Sequence, residues 1–143
     1  MNISTRIIKE TDAPIITQLS GQLGYSITEE QTLKNIKTIL GREDLAAFVA
    51  VDDEQVIGWI GVMQSITLES YPHCEVKGLV VDDAYRHKGI GKLLLERAKG
   101  WGRARGNSVL RLRCNAKRLE THLFYEHLGF KETKMQKQYE IGI

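Results

Sequence analysis

Apolar residues recur along this chain with two periods, one typical of strands and one typical of helices. Alternating or continuous apolar stretches predict strands at residues 3–9, 46–51, 56–66, 74–81 and 109–114, with one or two short closing strands within 131–143. Spacing of three and four residues predicts helices that begin near Asp12, Thr28, Gly89 and Leu119. The order is strand, two helices, three strands, helix, strand, helix and closing strands.

This order predicts one α/β domain over residues 1–143. Consecutive strands imply antiparallel hairpins, and the strand–helix–strand unit at 74–114 implies a parallel pair. We therefore expect a mixed, mostly antiparallel sheet of six to seven strands, flanked by four helices. The length of 143 residues and the 42% hydrophobic content suffice for one core.

Composition argues against several function classes. The net charge is +2, from 20 basic and 18 acidic residues, which is too balanced to predict a nucleic-acid or membrane partner. Eight basic residues lie between Arg97 and Arg118 without an acid, and we interpret them as a solvated face or an attraction for an anionic cofactor rather than a nucleic-acid site. Cys74 and Cys114 form no metal-binding pattern. Without a signal peptide or long apolar run, we expect a cytoplasmic, metal-free protein.

A strand, a polar turn and two glycines precede the third helix, in the segment Arg86-His87-Lys88-Gly89-Ile90-Gly91. The first turn of a helix leaves backbone N–H groups unpaired and carries the positive end of the helix dipole. Gly89 and Gly91 have no Cβ, so phosphate oxygens can approach the backbone there. Basic side chains at Arg86, Lys88 and Lys92 add charge, so the segment predicts a phosphate site.

The glycine spacing excludes two common phosphate loops. A Walker A loop needs a longer spacing with Lys-Ser or Lys-Thr after its last glycine, and a Rossmann loop needs a third glycine where Leu94 stands. The pattern instead resembles RxxGxG/A, the coenzyme A signature of the GNAT superfamily of N-acetyltransferases. A second motif, Phe124-Tyr125-Glu126-His127-Leu128-Gly129-Phe130, is similar to that family's FYExLGF ending. The element order agrees as well, so the resemblance extends over nearly the whole chain.

The resemblance implies acetyl-coenzyme A as the acyl donor and a gap between splayed strands 4 and 5. Backbone N–H groups of residues 87–92 would hold its pyrophosphate, and the strand edge at Leu79 and Val81 would pair with its pantetheine arm. The residues implied to contact the donor are Leu79, Val80, Val81, Arg86, His87, Lys88, Gly89, Ile90, Gly91, Lys92, Asn115 and Tyr125.

The same resemblance suggests residues for proton transfer. Tyr125 is the candidate acid for the leaving thiolate, and Glu75 is the candidate base for the amine. His73 or a chain of water molecules are alternatives for the base. Period 2 places Glu75 on the face of Leu79 and Val81 unless a bulge intervenes, and a bulge is common in this family. The N–H near Val81 is the implied oxyanion donor.

Three further features qualify the resemblance. Glu120 and Thr121 replace an Asn and an Ala that often precede the family's tyrosine, which puts a cofactor contact at Glu120 in doubt. Trp59 and Trp101 are interpreted as core residues. The acceptor region implied by the family comprises residues 21–34, 64–73 and 131–138, where the side chains that could attract a cationic amine are Gln22, Tyr25, Glu29 and Glu69.

The function implied is transfer of an acetyl group to a primary amine of a small molecule, peptide or protein, by direct attack in a ternary complex. The alternative is an acyl-coenzyme A-binding regulatory module without catalysis. Many members of the family form homodimers, and the sequence itself specifies no interface. The identity of the amine stays open.

Overall fold

The computed structural model describes all 143 residues, and the chain divides into two compact units, Met1–Leu112 and Arg113–Ile143. The strands are β1 (Ile3–Ile7), β2 (Leu45–Asp52), β3 (Gln55–Ser65), β4 (His73–Val81) and β5 (Leu110–Arg111). The helices are α1 (Ala13–Gln22), α2 (Glu29–Leu40), α3 (Ile90–Ala104) and α4 (Leu119–His127), with single 3-10 turns at Glu10–Asp12 and Asp83–Tyr85. None of the helices is long and apolar enough to cross a bilayer.

The five strands form one sheet in the order β1-β2-β3-β4-β5. Neighbouring strands from β1 to β4 are antiparallel, and β4 and β5 are parallel. The mixed, mostly antiparallel sheet and the four helices confirm the predicted fold class. The predicted count of six to seven strands is wrong, because the sheet ends at β5, which is only two residues long.

The predicted closing strands are absent, since residues 131–143 contain neither helix nor strand. The alternation in this segment is real, and Met135, Tyr139 and Ile141 are strongly exposed. Alternation specifies which face a strand would present, but a strand also needs a partner for its backbone N–H and C=O groups. An apolar pattern without such a partner does not make a strand.

Cross-strand register divides the side chains of the sheet between two faces. Val49, Trp59 and Val80 share one face, and they pack in a cluster that includes Ile16 of α1 and Ile36 of α2. We call this the α1/α2 face. The opposite, α3 face is covered by the buried side chains of α3. The backbone of β3 lies close to α3, since a Cβ on Gly58 would lie 3.3 Å from a methyl carbon of Leu94.

A partly buried ion pair fixes the start of α1 against the sheet. The Arg6 guanidinium donates to both carboxylate oxygens of Asp12 at 2.8 and 2.9 Å, and the Lys9 N–H donates to Asp12 at 2.8 Å. Asp12 stands at the predicted start of α1, but its side chain does not cap the helix; it binds back to the preceding residues. Burial raises the pKa of Asp12, but these hydrogen bonds outweigh burial and hold the pKa below its ordinary value of 3.8.

We expect Arg6→Ala to lower the free energy of unfolding by about 2 to 3 kcal/mol at pH 7, because it leaves a buried carboxylate poorly paired. A depressed folded pKa stabilises only above the unfolded value of 3.8. The difference between variant and wild type should therefore shrink as the pH falls below that value. Urea unfolding at pH 7 and pH 3 measures both effects.

The matched control is Arg42→Ala, which removes the exposed Arg42–Asp44 pair at 2.6 Å. Exposed ion pairs contribute little to stability, so this variant should unfold like the wild type. Equal losses in the two variants would contradict the structural role given to Arg6.

Candidate functional site

A β-bulge interrupts β4 at Lys77. Val76 pairs with Val62 of β3 and Gly78 pairs with Gly61, so one residue of β4 has no partner. Such an extra residue locally increases the twist and breaks the regular pattern of ladder hydrogen bonds. Strand β4 therefore consists of two halves with different orientations toward their neighbours.

The bulge decides which side chains of β4 share a face. Because partners in an antiparallel pair point to the same side, Glu75 lies on the α1/α2 face together with Gly78 and Val80. Leu79 and Val81 lie on the α3 face. The regular alternation that would group Glu75 with these two residues does not exist here.

The second half of β4 has one open edge. Pairing with β5 stops at Glu75, before the bulge. The N–H of Asp82 donates to the Ile57 carbonyl of β3 at 2.8 Å. Because backbone groups also alternate along a strand, the N–H and C=O groups of Leu79 and Val81 point away from β3. This is the predicted splay, and it presents the kind of edge that an extended amide chain can pair with.

The connection that follows β4 ends in an anion-binding arrangement of backbone. His87 and Gly89 have positive φ angles of 62° and 81°, and the first hydrogen bond of α3 runs from the Leu93 N–H to the Gly89 carbonyl at 3.1 Å. None of the six N–H groups of residues 87–92 has an acceptor in the protein. We call these residues the cradle. Converging N–H groups at the positive end of a helix dipole bind phosphate.

The basic side chains near the cradle differ in what they contact. Arg86 forms an ion pair with Asp83 at 2.7 Å, so part of its charge is neutralised within the turn. The Lys88 ammonium lies 5.4 Å from the centre of the Tyr85 ring, and Lys92 is exposed. Backbone N–H groups are therefore the main hydrogen-bond donors available to an anion at the cradle, and the lysines add positive charge.

A tryptophan covers the bulge on the α1/α2 face. The ring of Trp59 lies over Gly78, where a Cβ would come within 2.7 Å of two ring carbons. Trp59 packs against the core cluster as predicted, yet its Nε1–H is buried without a hydrogen-bond partner. The sequence analysis does not single out Gly78, although a glycine inside a strongly apolar strand is a signal of a bulge or of close packing.

Both candidate bases are buried on this face, since His73 and Glu75 are each 5% exposed. His73 Nδ1 lies 3.2 Å from the Tyr71 carbonyl. A carbonyl only accepts, so Nδ1 is the donor in this contact and Nε2 is the nitrogen that stays available to other groups. Arg111 is the register partner of Glu75 on β5, so the two side chains project from the same face of the sheet.

In the second unit, the closure of α4 holds Tyr125. The N–H of Gly129, at φ 94°, donates to the Glu126 carbonyl at 3.0 Å, and the N–H of Phe130 donates to the Tyr125 carbonyl at 3.0 Å. These two bonds define a Schellman motif, and the Tyr125 and Phe130 rings contact each other at 5.7 Å. Burial raises the pKa of Tyr125, with a smaller contribution from Cys114, so the phenol is protonated at neutral pH.

Asn115 is engaged locally. Its Oδ1 accepts from the Lys117 N–H at 2.9 Å, and its carbonyl accepts from the Arg118 N–H at 3.0 Å and lies 2.8 Å from His122 Nε2. The side chain that the resemblance assigns to the donor therefore stabilises a turn. No group of three or more His, Cys, Asp or Glu side chains is arranged to hold a metal ion.

Comparison with known proteins assigns the class. The sequence model described as the acetyltransferase (GNAT) family matches residues 15–130. The chain belongs to this family, and it is an acyl-coenzyme A-dependent N-acyltransferase with acetyl-coenzyme A as its donor substrate.

Three relatives show how far the similarity extends. An uncharacterized N-acetyltransferase of Bacillus subtilis (strain 168), YhdJ, is 25% identical over 118 residues, which are 82% of this chain and 80% of the relative. The structure of AAC(6')-Iy in complex with the bisubstrate analogue CoA-S-monomethyl-acetylneamine has a TM-score of 0.88 at 22% identity, with 100% of both chains covered. Glucosamine-6-phosphate N-acetyltransferase from Arabidopsis thaliana has a TM-score of 0.85 at 21% identity, covering 99% of this chain and 100% of that one.

We expect Gly78→Ala to lower kcat/KM about tenfold or more, because the new methyl must displace the Trp59 ring on the face that also carries Glu75. The same variant should lose about 1 to 3 kcal/mol of stability by overpacking. Steady-state thiol release and urea unfolding measure the two effects.

Gly61→Ala is the matched control. Gly61 is the cross-strand partner of Gly78 on the same face, but a Cβ there would lie 3.8 Å from the Trp59 ring, which is ordinary contact. This variant should retain near wild-type activity. If both variants behave alike, the Trp59–Gly78 contact does not set the geometry of this face.

Proposed function

We propose that this protein transfers the acetyl group of acetyl-coenzyme A to a primary amine of a small molecule, peptide or protein, by direct attack in a ternary complex. The observation that carries the proposal is the cradle, where six N–H groups without acceptors follow directly on the open edge of β4. Few ligands other than an acyl-coenzyme A combine a pyrophosphate with an extended amide-bearing arm.

The donor would bind along these two features. The cradle takes the pyrophosphate through backbone N–H groups, and the backbone of Leu79 and Val81 pairs with the amides of the arm. Val80 is buried in the core cluster, which keeps this edge in place. The N–H of Val81, which points toward the open side, is the candidate donor to the thioester oxygen as that oxygen gains charge.

Proton transfers would be divided between two residues. Glu75 accepts the proton from the ammonium so that the nitrogen lone pair can attack the acetyl carbon, forming the C–N bond as the C–S bond breaks. The nitrogen then releases its second proton to solvent, which leaves a neutral amide. Tyr125 donates its proton to the leaving thiolate and is reprotonated from solvent. The raised pKa of Tyr125 supports this role, because an acid must hold its proton until the thiolate forms.

A second residue competes with Glu75 for the role of the base. His73 lies two residues before Glu75 on the same face, with its Nε2 available to accept a proton. A chain of water molecules is the remaining route. Glu75→Gln and His73→Gln, compared for the loss in kcat, distinguish the three.

The structural neighbours named above suggest where to begin the search for the amine. One was crystallised with an acetylneamine analogue, and another is named for glucosamine-6-phosphate. At identities of 22% and 21%, these neighbours support the fold alone. Amino sugars are therefore only the first amines to test.

The experiment is an amine panel with acetyl-coenzyme A, read by free thiol release, together with calorimetric binding of coenzyme A. With an accepted amine, we expect Glu75→Gln and Tyr125→Phe each to lower kcat about 10²-fold, with little change in coenzyme A affinity. Glu96→Gln and Tyr139→Phe are the matched controls, since both residues are exposed, and they should react like the wild type.

Two results would contradict the proposal in different ways. Binding of coenzyme A without thiol release for amino sugars, polyamines, amino acids or peptide amines would favour the regulatory module. Failure to bind coenzyme A at all would refute the role given to the cradle.

A further inference from the structure

The last residue of α1 contacts the connection between β4 and α3, although the two segments are about sixty positions apart. The Gln22 side-chain carbonyl accepts from the Asp83 N–H at 2.9 Å. Its amide nitrogen donates to Asp82 Oδ1 through a longer bond of 3.4 Å. The sequence alone suggests Gln22 as a residue that could attract the amine, but its amide group is engaged with this turn.

The contact joins two segments with separate expected roles. On one side, Gln22 leads into the α1–α2 loop, residues 23–28, which falls within the acceptor region that the resemblance implies. This loop includes a glycine at φ 85°, Gly24, and Tyr25, which is 59% exposed. On the other side, the turn that begins at Asp82 leads directly into the cradle.

The turn is held on its far side as well. The Tyr85 hydroxyl donates to Asp52 of the β2–β3 hairpin at 2.7 Å, and Asp82 Oδ1 also accepts from the Ala84 N–H at 3.1 Å. With the hairpin end fixed, any tightening of the turn on anion binding is passed toward α1 through Gln22. Among the side-chain hydrogen bonds of the turn, those of Gln22 alone reach a helix of the acceptor region.

We propose that Gln22 is a positioning residue that couples occupancy of the cradle to the order of the α1–α2 loop. This inference rests on the proposed function, because it takes coenzyme A as the cradle's ligand. A ligand that orders the turn also orders whatever is hydrogen-bonded to it, and the coupling is reciprocal, so an ordered loop raises donor affinity by the same factor.

The test is hydrogen–deuterium exchange of residues 23–28 with and without saturating coenzyme A. In the wild type, coenzyme A should slow exchange in this loop several-fold. Gln22→Ala should remove that ligand-dependent slowing, while its coenzyme A affinity falls less than about tenfold, as expected for one exposed hydrogen-bonded group. Gln18→Ala, at an exposed position one turn earlier on α1, should behave as the wild type.

A charge exchange provides a rescue that a purely structural role would not predict. Gln22→Glu places a carboxylate beside Asp82 and should abolish the coupling by repulsion. Adding Asp82→Asn removes the repulsion, because the amide Oδ1 can still accept from the Ala84 N–H while Nδ2 donates to the new carboxylate, and this double variant should restore the ligand-dependent slowing. With an accepted amine, Gln22→Ala should raise the KM for the amine about three- to tenfold and leave kcat unchanged.

Ligand-dependent slowing that is the same in Gln22→Ala and in the wild type, with coenzyme A bound to both, would overturn this inference and leave the proposed function standing. If the wild type does not bind coenzyme A, both proposals fall together. A rescue that does not occur, with both variants folded, would also count against the coupling.

Discussion

The extra residue in β4 at Lys77 is the constraint on which the donor side of this protein depends. It reverses the alternation of the strand, so that Glu75 points to the α1/α2 face, while Leu79 and Val81 point to the α3 face and direct their backbone groups to the open edge. Pairing to β5 also ends nearby, at Glu75, because β5 is only two residues long. The bulge therefore sets the orientation of the edge of β4, and the short β5 leaves that edge open.

In the proposed function, the cradle would bind its anion by electrostatics that are built into the main chain. Left-handed conformations at His87 and Gly89 turn consecutive N–H groups toward one side, and the start of α3 adds the positive end of its dipole. Glycine adopts such a conformation without strain, whereas His87 adopts it at a cost that its neighbours must offset. Most of the binding geometry is thus independent of side chains, and the exposed lysines contribute long-range attraction that salt would screen.

Most of the fold could be predicted from periodicity, and the site only in part. The helix start at the cradle follows from the apolar spacing after Gly89. The glycine closure of α4 follows from a local rule, because Gly129 occupies the positive φ that this closure requires. The bulge could not be located, since one inserted residue leaves the apolar pattern of β4 intact. The contacts of Gln22 and Asp12 depend on which distant backbone groups come within reach. The prediction of strands within residues 131–143 is wrong because alternation does not reveal whether a partner strand exists.

The main-chain character of the cradle has an evolutionary consequence. A binding surface made of peptide N–H groups keeps its chemistry through almost any side-chain substitution, so drift elsewhere in the sequence leaves donor recognition largely untouched. The face that carries Trp59 and Glu75 is built from side chains, so substitutions there change its chemistry directly. In the proposed function, one half of the reaction can therefore persist through sequence drift while the other half diversifies.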